Sequence, residues 1–156
     1  MKILLQRVSR AEVRVDGSRV AKIDRGLLLF VGIAQDDDPE VIAPMAEKVA
    51  NLRIFEDEQG KMNLSALQVG AAILVVSQFT LLADARKGRR PSFIEAAPPD
   101  RASAFIDCMV SCFRDMGFEV QTGRFGAHME VELVNDGPVT IMLDSREILR
   151  RQTTID

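Results

Sequence analysis

A single α/β domain, mixed in its sheet and with two main helices on one side, is what this sequence predicts. Three observations predict it. Strand-like runs open and close the chain, two segments between them carry apolar residues at helical spacing, and a wholly apolar run beside each helix reads as a buried central strand. A chain of 156 residues is the size of one domain, large enough to bury roughly 70% of its unfolded surface around one core.

Lys2 to Val8 and Glu12 to Val15 alternate or run apolar as strands do, and Asp16-Gly17 supplies a hairpin turn into a strand from Arg19 to Ile23. Gly26 opens the apolar Leu27-Leu28-Leu29-Phe30-Val31, a central strand. At Asp38-Pro39 the period changes: Asp38 suits a cap, Pro39 a first helical turn, and Val41, Ile42, Met45, Val49 and Leu52 recur at helical spacing. Arg53-Ile54-Phe55 reads as a short strand and Glu56 to Asn63 as a polar connection turning at Gly60. Residues 72–80 form the next central strand. After a charged, proline-containing loop, Ala102, Phe105, Ile106, Met109, Val110, Phe113 and Met116 mark a second helix, ended by Gly117. Phe118 to Gln121, Met129 to Val134 and Val139 to Leu143 read as three further strands. No internal repeat, linker or low-complexity stretch interrupts them.

Composition narrows the function. Net charge of −3 argues against wrapping long nucleic acid, which depends on neutralising many phosphates, and leaves contact with one RNA end open. Cys108 and Cys112 stand four apart in a helix-like segment, share a face and make no zinc pattern. With free cysteines, no charged-then-apolar leader and no apolar run near ~18 residues, the expected place is a reducing compartment, by default the cytoplasm, and not a membrane. His128 is the one histidine, so a metal pair of histidines is unavailable, and any serine-histidine chemistry would have to use a residue that reads more simply as solvent-facing.

Two motifs remain. Ser77-Gln78-Phe79-Thr80-Leu81 follows the apolar Ala72-Ile73-Leu74-Val75-Val76, so a buried strand delivers two hydroxyls, an amide and several backbone N–H groups to its end, a set suited to an electrophile. Asn135-Asp136-Gly137-Pro138-Val139-Thr140 sets a Gly-Pro bond, cis-capable and lacking one side chain, beside a turn signal between alternating runs. Together with Leu5-Gln6-Arg7-Val8, Gly60-Lys61-Met62-Asn63-Leu64, Lys87-Gly88-Arg89-Arg90-Pro91-Ser92-Phe93 and Thr122-Gly123-Arg124-Phe125-Gly126-Ala127, they make the chain resemble the D-aminoacyl-tRNA deacylase family from Met1 to about Ser145. His128, Glu130 and Glu132 depart from the expected polar pattern.

The resemblance implies a deacylase-like domain over residues 1–145 followed by a tail of residues 146–156, an α/β/β layering, a homodimer, no cofactor and no metal. It implies hydrolysis of the ester of D-aminoacyl-tRNA, and of glycyl-tRNA, at the acceptor end, releasing tRNA and amino acid. Ser77, Gln78, Phe79 and Thr80 would shape the pocket for the terminal adenosine and the ester. Water would attack with help from the substrate's own 2′-hydroxyl, and backbone N–H groups near Phe79 and Thr80 would hold the oxyanion; which group carries the proton stays open. A cis Gly137-Pro138 bond would enter the partner subunit's pocket and exclude L-amino acids, braced by Arg7, with Phe125, Gly126, Ala127 and Met129 as pocket neighbours.

Each of these residues also has a plainer reading. Ser77 and Thr80 alone are ordinary cap or turn hydroxyls, and Thr80 as a nucleophile has no base beside it in sequence. Asn-Asp-Gly-Pro alone is a turn, Arg7 a surface arginine and Met129 core packing. Arg86-Lys87-Gly88-Arg89-Arg90 could cradle acceptor-end phosphates or be a solvated loop. Arg146, Arg150 and Arg151 could touch RNA or simply keep a frayed end soluble. A non-catalytic nucleic-acid-binding dimer and a structural dimer module are the alternatives to the enzyme.

Overall fold

The computed structural model describes residues 1–150. Its strands are β1 (Lys2–Val15), β2 (Ser18–Ile23), β3 (Gly26–Gly32), β4 (Phe55–Glu56), β5 (Met62–Leu64), β6 (Ala72–Ser77), β7 (Val120–Thr122) and β8 (Glu130–Asp144). The helices are α1 (Ile42–Asn51), α2 (Ala66–Val69), α3 (Pro99–Asp115) and α4 (Ser145–Arg150). One mixed sheet runs in the order β2-β1-β3-β6-β7, with β8 also paired to β1, while β4 and β5 make a separate small ribbon.

Both expected helices form, and for the expected reasons. The Asp38 side chain accepts from Glu40 N, Pro39 starts a 3-10 turn, and α1 then buries Ile42, Met45, Ala46 and Val49. Helix α3 buries Phe105, Ile106, Met109, Val110 and Phe113 and ends before Gly117, whose φ of +94° only glycine adopts easily. These faces pack on Ile3 and Leu5 of β1, Leu27 and Leu29 of β3, and Ile73 and Val75 of β6 in the larger core.

The second β layer comes from β1 changing partners. Residues 2–8 pair with β3, while Ala11 to Val15 pair with β2. The two expected opening strands are therefore one, because Ser9 and Arg10, though exposed, keep extended backbone and let the ladder fold over. Val8, Ala11 and Val13 then face Leu28, Leu74 and Val76 together with Ala21 and Ile23, a second core between the β layers. Asp16 (φ 51°) and Gly17 (φ 77°) make the hairpin that returns β2.

Several boundaries differ from the sequence expectation: the short strand expected over 53–55 is Phe55–Glu56, and the connection expected over 56–63 runs into strand β5 at Met62. The strand expected over 72–80 stops at Ser77 and gives way to a 3-10 turn, Phe79–Leu82. A Cβ on Gly32 would lie 2.5 Å from Leu82 Cδ2 and 2.9 Å from the Gln78 carbonyl; glycine there lets this turn fold tightly against β3. The strands expected over 129–134 and 139–143 are one strand, β8, paired with β1 along its length. Asn-Asp-Gly-Pro is thus no hairpin turn. Thr140 faces Gln6 and Asn135 faces Val8, so Asp136 to Val139 bulge out opposite Arg7 alone. The strand expected over 118–121 is β7, shifted to Val120–Thr122.

Helix α2 was not anticipated, although Ser65 and Gln68 form its capping box and Gly70 (φ 65°) ends it. The segment expected as a tail begins as α4, held where Arg146 Nη2 donates to Asp36 Oδ1 at 2.8 Å. Arg151 lies outside the described residues.

Candidate active site

Strands β3, β6 and β7 are parallel neighbours, so their carboxyl ends open on the same side, the usual place for a ligand in such a sheet. The chain leaving β3 supplies Gln35, that leaving β6 supplies Ser77, Gln78 and Phe79, and that leaving β7 supplies Phe125, Gly126, Ala127, His128 and Met129. A cavity of about 850 Å³ lies between them. Gly123 makes room for one wall: a Cβ there would stand 2.6 Å from Met129 Sδ.

Thr80 does not line this cavity; its hydroxyl accepts a short hydrogen bond from Gln78 Nε2. An amide is not a base, so this geometry gives no activation of Thr80 as a nucleophile. Gln78 provides no side-chain cap to the turn it starts, and the leading N–H groups of a helical turn are the ones left without partners inside it. Those belong to Phe79, which lines the cavity, and to Thr80, the next residue of the turn.

A further wall escaped the sequence reading of the site. Phe93 and Ile94, with Ala97-Pro98-Pro99 and Ala102 at the start of α3, close the cavity on its apolar side. Phe93 meets Phe79 edge to face, with ring centroids 5.1 Å apart, though both rings are exposed. The available signal was an apolar Phe93-Ile94 pair inside an otherwise polar loop. His128 also lines the cavity, as an exposed side chain. Glu132 forms a cross-strand ion cluster with Arg10 (3.0 Å) and Arg14 (3.1 Å), and these arginines lower its pKa.

Gly137, Pro138 and Arg7 lie elsewhere. The Gly137-Pro138 peptide bond is cis, and both residues are exposed. Arg7 is buried beneath them. Its Nε donates to the Asp136 carbonyl at 3.0 Å and its Nη1 to the Ile54 carbonyl at 2.7 Å, with Asp136 Oδ2 and Glu56 Oε1 at 3.7 and 3.8 Å. Asn135 clips the bulge from inside: its Oδ1 accepts from Val139 N at 3.0 Å and its Nδ2 donates to Thr140 Oγ1 at 2.7 Å. Arg7, Leu27 and Ile73 stand abreast on β1, β3 and β6, and Ser77 lies further along β6. Ladder spacing therefore puts the bulge about 20 Å from Ser77 within one chain.

Among the described residues no group of three or more His, Cys, Asp or Glu side chains is placed to hold a metal ion, and no helix is long and apolar enough to cross a membrane. In the loop after the Phe79–Leu82 turn, Arg86 holds the Asp84 carboxyl down at about 2, chiefly through its side-chain hydrogen bonds. Since the folded value is depressed, the pair's contribution is present above the ordinary carboxylate value of about 3.9 and lost as pH falls through about 2.

The chain matches the family model described as D-Tyr-tRNA(Tyr) deacylase over residues 4–144. It is 61% identical to the D-aminoacyl-tRNA deacylase of Thermomicrobium roseum, covering 95% of this chain and 96% of that protein. It is 57% identical to that of Anaeromyxobacter dehalogenans, covering 95% and 99%. Among solved structures it is similar to a c-Myc DNA unwinding element binding protein, with a TM-score of 0.87 at 40% identity over 92% of this chain and 98% of that one. A probable eukaryotic D-amino acid tRNA deacylase shares the fold, with a TM-score of 0.80 at 18% identity over 91% and 97%.

Proposed function

Given that the chain belongs to the D-Tyr-tRNA(Tyr) deacylase family and is a D-aminoacyl-tRNA deacylase, a hydrolase, we propose that its cavity takes the terminal adenosine and the aminoacyl ester. The observation that carries this is the Phe79–Leu82 turn, which brings N–H groups to the carboxyl end of a buried parallel strand beside an aromatic wall. Water attacks the ester carbonyl. The negative charge that develops on its oxygen is met by the Phe79 and Thr80 N–H groups, and the 3′-oxygen leaves and is protonated, assisted by the neighbouring 2′-hydroxyl. Ser77 and Gln78 position the ester, while Phe125, Gly126, Ala127 and Met129 shape the floor.

Chirality is then a matter of exclusion. The cavity and the Gly137-Pro138 bulge lie apart in one chain, which favours a homodimer in which each bulge enters the other copy's cavity. Its backbone would stand against the α-carbon, rejecting an L side chain and admitting D-amino acids and glycine alike. We place this reaction in the cytoplasm. Deacylation assays with D-, L- and glycyl-tRNA test the reading: hydrolysis of the D- and glycyl-esters with the L-ester spared is expected, and equal hydrolysis of both enantiomers would refute exclusion.

Two further outcomes follow from the site. Thr80→Ala should retain activity within about tenfold of the parent, a change of about 1.4 kcal/mol in the barrier, because the main stabilisation comes from backbone donors. Trapping a covalent aminoacyl ester on Thr80 would reverse that assignment. Exhaustive chelation should leave turnover unchanged; a loss restored only by added metal would show that a metal takes part.

A further inference from the structure

The loop between the Phe79–Leu82 turn and the Phe93 wall carries four of the chain's basic residues, Arg86, Lys87, Arg89 and Arg90. It is a closed structure rather than a loose one. Asp84 N donates to the Ser92 carbonyl and Ser92 N to the Asp84 carbonyl, each at 2.8 Å. Inside that closure Arg86 folds back on Asp84, its Nε and Nη2 donating at 2.9 and 2.8 Å while its backbone N–H donates at 3.0 Å. Arg86 is therefore neutralised in place and stiffens the first half of the loop. Asp84 stays ionised far below neutrality, so the clamp does not open in the working pH range.

Lys87, Arg89 and Arg90 differ from Arg86. All three are exposed, and none forms an ion pair among the described residues. Both ends of the loop are rooted in the cavity: Leu82 closes the turn that carries Phe79, and Ser92 leads directly into Phe93 and Ile94. From Arg90 to Phe93 the chain spans at most about 11 Å. Three exposed cations thus stand on the loop that joins two cavity-lining segments, with Arg90 within about 11 Å of Phe93, on a chain whose net charge is −3.

We propose that Lys87, Arg89 and Arg90 bind the backbone phosphates of the acceptor strand just before its terminal nucleotide, so that this clamped loop is the enzyme's tRNA-backbone site. The inference rests on the reading that the cavity holds the terminal adenosine ester. Phosphate contacts of this kind fix register and orientation without reading sequence, which suits an enzyme acting on one end of many tRNAs. Arginine supplies forked donors that a phosphate can take two at a time.

The test compares two substrates that differ only in phosphate: D-aminoacyl-tRNA and the same amino acid esterified to adenosine. For the triple variant Lys87→Gln/Arg89→Gln/Arg90→Gln, KM on the tRNA substrate should rise by about ten- to a hundredfold with kcat nearly unchanged, as expected for lost uniform binding. The dependence of log(kcat/KM) on log salt should become shallower by about 2, from a slope of about −0.7 per phosphate on a single strand. On the adenosine ester the variant should match the parent. Arg89→Lys/Arg90→Lys should recover most of the tRNA KM, since charge is kept. Equal losses on both substrates would overturn the proposal by showing that the loop shapes the cavity, and an unchanged KM and salt slope on tRNA would overturn it in favour of a solvated loop. If the parent enzyme cleaved D-aminoacyl-tRNA but gave no competition with adenosine esters, the cavity reading would fail first, and the phosphate site with it.

Discussion

Gly137→Ala is expected to admit L-aminoacyl-tRNA, raising kcat/KM on the L-ester by at least about tenfold, or roughly 1.4 kcal/mol of lost discrimination, before hydrolysis of the D-ester falls comparably. Gly137 holds a φ of +130°, where an L side chain is strained, and a Cβ built on it would stand 2.9 Å from Val139 Cγ2 and 3.0 Å from Arg7 Nη2. Neither neighbour yields easily: Val139 belongs to the larger core, and Arg7 is held by two carbonyls. The bulge itself must move. Because Gly137 and Pro138 are exposed, little core packing is lost, and the variant should fold. Paired assays on D- and L-charged tRNA check it; loss of D-activity with complete rejection of L-substrates would defeat the exclusion mechanism. So would an isolated monomer that discriminates fully.

Arg7→Met should have the second large effect, on stability and selectivity together. The methionine fills most of the arginine's volume but donates nothing, leaving the Ile54 and Asp136 carbonyls without their donor. At about 1–3 kcal/mol for the buried Ile54 carbonyl and about 1 kcal/mol for the part-buried Asp136 carbonyl, a loss of about 2–4 kcal/mol is expected, or a Tm lower by about 4–16 °C for a chain this size. Thermal unfolding measures the first effect. The second is a rise in L-activity at temperatures where the variant remains folded; a Tm change without any change in discrimination would reduce Arg7 to a structural role.

Periodicity sufficed for the elements whose cause is local. The helices α1 and α3 and the apolar strands β3 and β6 announce themselves because a buried face repeats every 3.6 residues, or because a strand buried on both faces has no polar positions. The misreadings have a common origin in long-range geometry. Ser9-Arg10 and Asn-Asp-Gly-Pro are polar, turn-like interruptions in sequence, yet neither ends its strand, because β1 and β8 pair on both sides of them. Likewise Ser77 ends its strand early only because Gly32, far away in the chain, leaves space for the turn.

The site divides in the same way. As cavity lining, Ser77, Gln78 and Phe79 were legible because a motif follows directly from a strand, and Phe125, Gly126, Ala127 and Met129 because they belong to a recognisable segment, whereas His128 read as solvent-facing and Thr80 falls outside the lining. Phe93, Ile94 and the Pro98-Pro99 corner were not, since a loop and a helix start become a wall only when the fold lays them against β6.

The placement of Asp136 to Val139 within β8 limits how this protein can vary. A free loop tolerates insertion at its tip, but this segment is flanked on both sides by rungs shared with the same neighbour, Thr140 with Gln6 and Asn135 with Val8. Adding or deleting one residue must either change how far the bulge projects or slip one flank of β8 by one position, which would turn Leu143 away from the core. The number of residues that project is therefore counted off by the sheet, as teeth are by a rack. How far the proposed selectivity element reaches is thus set by the register of the sheet that carries it.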